Sequence, residues 1–365
     1  MPAPQTLSVL LVDDNAAFLE QLRSALVQEL NDPTVEVRTW QPSNEDQDAS
    51  TKFDSLLDDG TVLVATDYDL TTGMRGLFGL TIVAWCQQKS IPVGDFSRDN
   101  ANQLPKEPNL FEFRIPPTEI EGAQFIAAAF RGFREIRRRL EATETLLTKR
   151  SLASVLATLL GRASLESQFA LYMNRIGASN SSLVQKIKDF TGGVQPSPGE
   201  KRKLLVYVLG HVLFNSILKF PGPILSDKVL AAYAATSAAE AEALATLFES
   251  ARYNGPFAEN HRYYWRDDIE KKIDELGAAL NAEQFEDTAD FNRKVIETAL
   301  NRPLSNHDCE RCGGTRGGFW CPFMVRPVCL RSDCSVAASS WIPQGAQLCR
   351  VERQFYDEWA PLLGL

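Results

Sequence analysis

The chain has 365 residues, 44% of them hydrophobic, which is enough for two or three packed domains. Its formal net charge of −9 argues against broad non-specific nucleic-acid binding by the whole chain and leaves room only for a local basic patch. No apolar run approaches the roughly 20 residues that span a bilayer. No basic stretch precedes the first apolar segment, so neither a membrane anchor nor a secretory leader is expected, and a cytoplasmic location is.

Residues 7–12, LSVLLV, read as a first strand that ends at Asp13-Asp14-Asn15. Phe18, Leu22, Ala25, Leu26 and Leu30 then share one helical face. Val35 to Trp40 alternates as a second strand, and QPSNEDQDAST, residues 41–51, is a polar loop. The stretch VLVATDYDLTTG, residues 62–73, drives an apolar strand straight into Asp67 and Asp69. A helix follows over 80–87, a fourth strand over 91–96 closed by Ser97, and a fifth over 111–115 stopped by Pro116-Pro117. Another helix starts near Thr118. The glycines of GMRGLFG lack the Lys-Ser/Thr ending of a phosphate loop and read as a flexible loop.

Strands alternating with helices predict an α/β, doubly wound, five-stranded parallel sheet. Ligands of such sheets sit at the carboxyl ends of the strands. That rule gathers Asp13, Asp14, Asp67 and Ser97 at one rim. Three carboxylates make a hard oxygen site suited to Mg2+, with one acid left to attack phosphorus.

Beyond the sheet, Ile126, Phe130 and Phe133 lead into RRRLEATETLLTKRSLASVLATLL, with Leu152, Val155, Leu156 and Leu159 at helical spacing. The helical stretch 125–160 either packs on its own chain or pairs with a second copy as a homodimer. The basic runs at Arg134, Arg137, Arg138 and Arg139 and at Lys201, Arg202 and Lys203 read as solvated helix faces. Residues 160–305 read as all-helical, with Leu204, Leu205, Val208, Leu209, Val212 and Leu213 on one apolar face and Ser226 or Asp227 as a cap. TGGVQPSPG, residues 191–199, and FPGP, residues 220–223, read as linkers. His211 is expected as a core histidine, Cys86 as a buried small hydrophobe, and the aromatic stretch 254–268 as a packed helix start or a partner surface.

Six of the seven cysteines fall between 309 and 349. Cys309 and Cys312 form a C-x2-C knuckle followed by two glycines, and Cys329 and Cys334 a looser pair. Four thiolates of this kind close a tetrahedral Zn2+ site. Cys321, Cys349 and His307 are also available, and an iron–sulfur cluster or metal-free thiols are alternatives.

LLVDDN, VLVATDYDL, IPVGDFS and FEFRIPP together resemble the receiver domain of two-component response regulators over about residues 6–140, whose sheet has a flavodoxin-like order. The resemblance implies Asp13 and Asp14 as Mg2+ ligands, Asp67 as phosphoacceptor and metal ligand, and the Asp69 carbonyl completing the metal site. It implies Ser97 at the switch hydroxyl position and Phe111 at the aromatic switch position. The strand-five lysine before proline is not there: Ile115 precedes Pro116, and Arg114 lies one residue earlier.

The expected organisation is a receiver-like domain over 1–140, a helical connector over 141–160, an all-α output domain over 161–305, a Cys-rich zinc module over 306–350 and a tail over 351–365. The expected function is a response-regulator-type signalling protein served by a histidine kinase, with Asp67, Ser97 and Arg114 as its chemical residues and no turnover enzymology. The alternative is a degenerate receiver acting as a scaffold for protein partners. A zinc-dependent DNA-binding regulator is a third and less favoured reading.

Overall fold

The computed structural model describes residues 6–46, 48–96, 110–148, 151–174, 176, 197–259, 261–285, 287–307, 309, 311–313 and 318–361. Ser97, the stretch 98–109 and most of the 191–199 linker lie outside the described residues. The chain forms two compact units, one of Met1–Leu159 with Ile176–Asn215, the other of Leu160–Arg175 with Ser216–Leu365.

The first unit is built on five strands: β1 (Leu7–Val12), β2 (Val35–Trp40), β3 (Thr61–Asp67), β4 (Val93–Phe96) and β5 (Phe113–Arg114). All pair in parallel, in the order β2-β1-β3-β4-β5. Every residue of β3 is buried, as expected for a central parallel strand covered on both faces. Its helices are α1 (Ala16–Leu30), α2 (Ala49–Leu56), α3 (Gly79–Gln88), α4 (Glu119–Ala142) and α5 (Leu152–Leu159). After α6 (Glu166–Met173) of the other unit comes α7 (Pro198–Val212), which packs on α4. Local chemistry sets these ends. The Asn15 side chain accepts the Phe18 N–H to start α1, and Asn31 closes it in the left-handed region. Ser197 and Glu200 form a reciprocal capping box ahead of α7.

Several expectations need correction. The fifth strand is only Phe113–Arg114, shorter than 111–115: Phe111 lies in a turn, with its ring stacked on Tyr207 of α7. The stretch 141–160 is not one connector: α4 stops at Ala142, a 3-10 turn covers Glu144–Thr148, and α5 is a separate buried helix. The apolar face of α4, through Ile126, Phe130, Phe133, Ile136 and Leu140, is buried and packs against α1 and α7 of the same chain. Its arginines bind nearby acids, Arg134 to Asp32, Arg137 to Glu141, and Arg138 and Arg139 to Glu135. The loop before α3 is ordered rather than free: the Met74 N–H bonds to the Leu70 carbonyl, and Asp69 and Phe78 form a β-bridge.

The second unit is not all-helical. β6 (Ile224–Ser226) and β7 (Tyr263–Trp265) pair antiparallel between its helices. The aromatic run 263–265 favours strand, and all three residues are buried. Around the pair stand α8 (Asp227–Tyr233, capped by Ser226), α9 (Ala241–Leu247), α10 (Arg266–Gly277) and α11 (Thr288–Leu300). FPGP is no linker: Phe220 is buried and its carbonyl accepts the Tyr172 hydroxyl at 2.8 Å. The Cys-rich stretch carries β8 (Phe319–Cys321) with β9 (Arg326–Val328), β10 (Ser335–Val336) with β11 (Val351–Glu352), and α12 (Arg353–Trp359). Trp320 of β8 joins the same core as Leu230, Phe248, Tyr264, Ile269 and Ile296.

Candidate functional site: an acidic rim and a thiol cluster

The acidic rim follows from strand register. Val12 of β1 lies opposite Thr66 of β3, so the next residues, Asp13 and Asp67, are lateral neighbours at the carboxyl ends of adjacent strands. Asp14 follows on the same turn. One carboxylate oxygen from each of Asp13, Asp14 and Asp67 lies within 4.8 Å of the others. Asp13 and Asp67 are buried and Asp14 is half-buried. Each is held by a backbone donor: Asn15 N–H to Asp13 Oδ1 at 2.7 Å, Gly73 N–H to Asp14 Oδ2 at 2.8 Å, and Tyr68 N–H to Asp67 Oδ1 at 2.9 Å. Gly73 is required for this approach, since a Cβ there would sit 2.3 Å from the Pro42 carbonyl and 2.7 Å from Asp14 Cβ. Three converging carboxylates repel one another unless a cation joins them, and the donor set is all hard oxygen.

The other expected members fall differently. The Asp69 side chain is not one of the three: Thr71 donates its N–H at 3.0 Å and its hydroxyl at 2.6 Å to Asp69 Oδ1, closing a local turn, which leaves the expected role of the Asp69 carbonyl untouched. Those hydrogen bonds hold the Asp69 carboxyl below its usual range. Arg114 is bound to Asp95, a residue the sequence did not single out and which is 2% exposed. The two face each other because Asp95 of β4 is opposite Arg114 of β5. Burial pushes the Asp95 carboxyl up, against the pull of the guanidinium. Ile115, in the residue before Pro116, is buried.

Phe111 is buried and its ring stacks on Tyr207, with His211 edge-on to both. His211 is fully enclosed, and burial drives its pKa down to about 3, so it is a neutral core residue. Cys86 is equally buried, and desolvation pushes its thiol far above the ordinary value.

In the second unit, the Sγ atoms of Cys309, Cys312, Cys329 and Cys334 all lie within 4.8 Å of one another, with Cys312 and Cys329 at 3.1 Å. Gly313, at φ +65°, makes the tight turn behind the knuckle. Burial, followed by the neighbouring Cys309 thiol, pushes Cys334 up to about 12. Cys321 and Cys349 stand outside the group. Cys321 Sγ accepts the N–H groups of Met324 and Glu352, and the Cys349 thiol reaches the Pro221 carbonyl. His307 is buried but outside the four. A second residue the sequence missed, Glu352, is buried and bound by Arg311 at 3.2 Å and Arg326 at 3.7 Å, tying the knuckle loop to β11. The four-cysteine set suits zinc.

No family model, no curated protein and no solved structure matches this chain.

Proposed function

We propose that the first unit is a receiver-type signalling module in which Asp13, Asp14 and Asp67 hold Mg2+ and Asp67 accepts a phosphoryl group from a histidine kinase. The observation that carries this reading is the convergence of the three carboxylates at the carboxyl ends of β1 and β3. The strand order supports it, because β2-β1-β3-β4-β5 is the flavodoxin-like order that receivers share, with its ligand crevice between β1 and β3. The cation would offset charge on the phosphoryl oxygens while Asp67 attacks phosphorus. The Cys309, Cys312, Cys329 and Cys334 cluster would hold a structural zinc that orders the 309–334 loops.

A second reading has its own observation. Arg114 is committed to Asp95 and Ile115 is buried, so neither supplies the cation that a strand-five lysine gives a working receiver. On that reading the unit is a degenerate receiver that docks partner proteins without phosphorylation. Labelling with acetyl phosphate and Mg2+ separates the two. Phosphoacceptance predicts incorporation in the wild type that is lost in Asp67→Ala. No labelling of either protein, with Mg2+ still bound, selects the scaffold; equal labelling of both ends the claim for Asp67.

A further inference from the structure

We propose that Arg350, acting through Ser335, is a positioning residue of the four-cysteine cluster and the counter-charge to its thiolates, a role that rests on the zinc reading of that cluster. Four thiolates carry twice the charge of the divalent cation they hold, so the filled cluster stays anionic. Cys309, Cys329 and Cys334 are buried, and an anion in such surroundings is costly without a cation beside it.

Most arginines near the cluster are committed to acids. Arg311, between Cys309 and Cys312, pairs with Glu352 at 3.2 Å, and Arg326 pairs with the same carboxylate at 3.7 Å. Arg331, between Cys329 and Cys334, pairs with Asp333 at 3.3 Å. Arg353 donates its backbone N–H to the Cys334 carbonyl at 3.0 Å, but its side chain goes to Asp357 at 2.9 Å. Arg350 differs. It is half-buried, and among the described residues no carboxylate lies at ion-pairing distance from it. Burial alone acts on its charge, and disfavours it.

The hydrogen bonds of Arg350 lead to the cluster. Its Nε donates to Ser335 Oγ at 2.7 Å and its Nη2 to the Ser335 carbonyl at 3.3 Å. The Ser335 hydroxyl in turn donates to the Cys329 carbonyl at 2.5 Å. Ser335 follows Cys334 in the chain, and the N–H groups of both donate to the Arg331 carbonyl, at 3.0 and 2.9 Å. Ser335 is buried, so water does not compete for these bonds. On its other side the guanidinium lies over the Phe319 ring, 5.6 Å from the centroid, and the Arg350 N–H donates to the Trp320 carbonyl at 3.0 Å. One guanidinium therefore braces the segments that carry Cys329 and Cys334 and brings an uncompensated positive charge to them. A half-buried cation without an acid and a buried thiolate group with excess negative charge each remove the other's cost.

The test measures the zinc affinity of the full chain by competition with a chromophoric chelator. Arg350→Gln is expected to weaken zinc by about 10–100-fold, the range for losing an outer partner of a metal ligand. Arg350→Lys, which keeps the charge, is expected to recover much of that loss. Ser335→Ala is expected to weaken zinc as well, and the double substitution with Arg350→Gln to cost less than the sum of the two, because the residues act in series. Arg331→Gln is the control: it is closer in sequence to two of the cysteines but already paired, and its affinity is expected to stay near that of the wild type. A wild type that takes up no zinc would end the zinc reading and the role of Arg350 together. Zinc uptake by the wild type with unchanged affinity in folded Arg350→Gln, no recovery in Arg350→Lys, full additivity with Ser335→Ala, or an equal loss in Arg331→Gln would overturn the role of Arg350 and leave the zinc reading standing. Should Arg350→Gln fail to fold, Ser335→Ala decides, and unchanged zinc affinity there would overturn the proposal.

Discussion

Asp13 and Asp67 meet because Val12 and Thr66 are in register, and Asp14 is added by the turn that starts α1. At this scale the chain pairs charges where burial would otherwise penalise them. Glu240 is an example. Arg302 donates to both of its oxygens and Ser305 donates its N–H at 3.1 Å. The Arg302 hydrogen bonds come first among the causes that hold the Glu240 carboxyl at about 2, below its ordinary 4.5, against the opposing effect of burial. A lowered folded-state pKa gives stability that is complete above 4.5 and is lost as pH falls toward 2. Arg302→Gln should therefore lower stability at pH 7, by a modest amount because solvent screens the partly exposed Arg302. Urea unfolding at pH 7 and again near pH 3 should show the gap to wild type shrinking; a constant gap would mean Arg302 acts through packing rather than charge.

At the scale of elements, α7 is the informative case. A Cβ at Gly210 would lie 2.1 Å from a ring carbon of Phe133, itself fully buried on α4. Gly210→Ala should destabilise by about 1–3 kcal/mol through overpacking, despite alanine's better helix propensity. Gly199→Ala, with no atom nearer than 3.9 Å, should be neutral or slightly stabilising in the same thermal melt. Equal effects at the two sites would contradict the packing of α7 on α4. The thiol loops give a parallel test. Cys334→Ser should lose bound zinc by elemental analysis and weaken near-ultraviolet circular dichroism from Trp320, whereas Cys349→Ser should keep the metal. Retention of zinc by Cys334→Ser would remove Cys334 from the ligand set.

How much of these elements was legible follows from what each one depends on. Strands β1 to β4 announced themselves through apolar runs ending in acids or turn residues, and the acidic rim came with them. β6 and β7 were missed because two short strands far apart in sequence gain their meaning only by pairing. FPGP looked like a linker by composition, yet the hydroxyl of Tyr172 fixes its first carbonyl in a buried site. Asp95 escaped notice because its partner Arg114 is brought opposite only by the β4–β5 register. Ser97 lies outside the described residues, so its expected switch position rests on the sequence alone.

At the scale of the whole molecule, the chain divides its chemistry between two units. The first holds an oxygen-only rim and the second a sulfur-only cluster, donor sets suited to hard and to soft cations respectively. Among the described residues no helix is long and apolar enough to cross a membrane. The sheet, its register and the expected phosphoryl chemistry all converge on the Asp13, Asp14 and Asp67 carboxylates. Titration with Mn2+ as a Mg2+ substitute, followed by electron paramagnetic resonance, tests that point most directly. Wild-type protein is expected to take up a bound ion that excess Mg2+ displaces, and Asp13→Asn/Asp14→Asn is expected to leave the ion free in solution. Uptake that survives the double substitution, or no uptake by the wild type, would contradict the account.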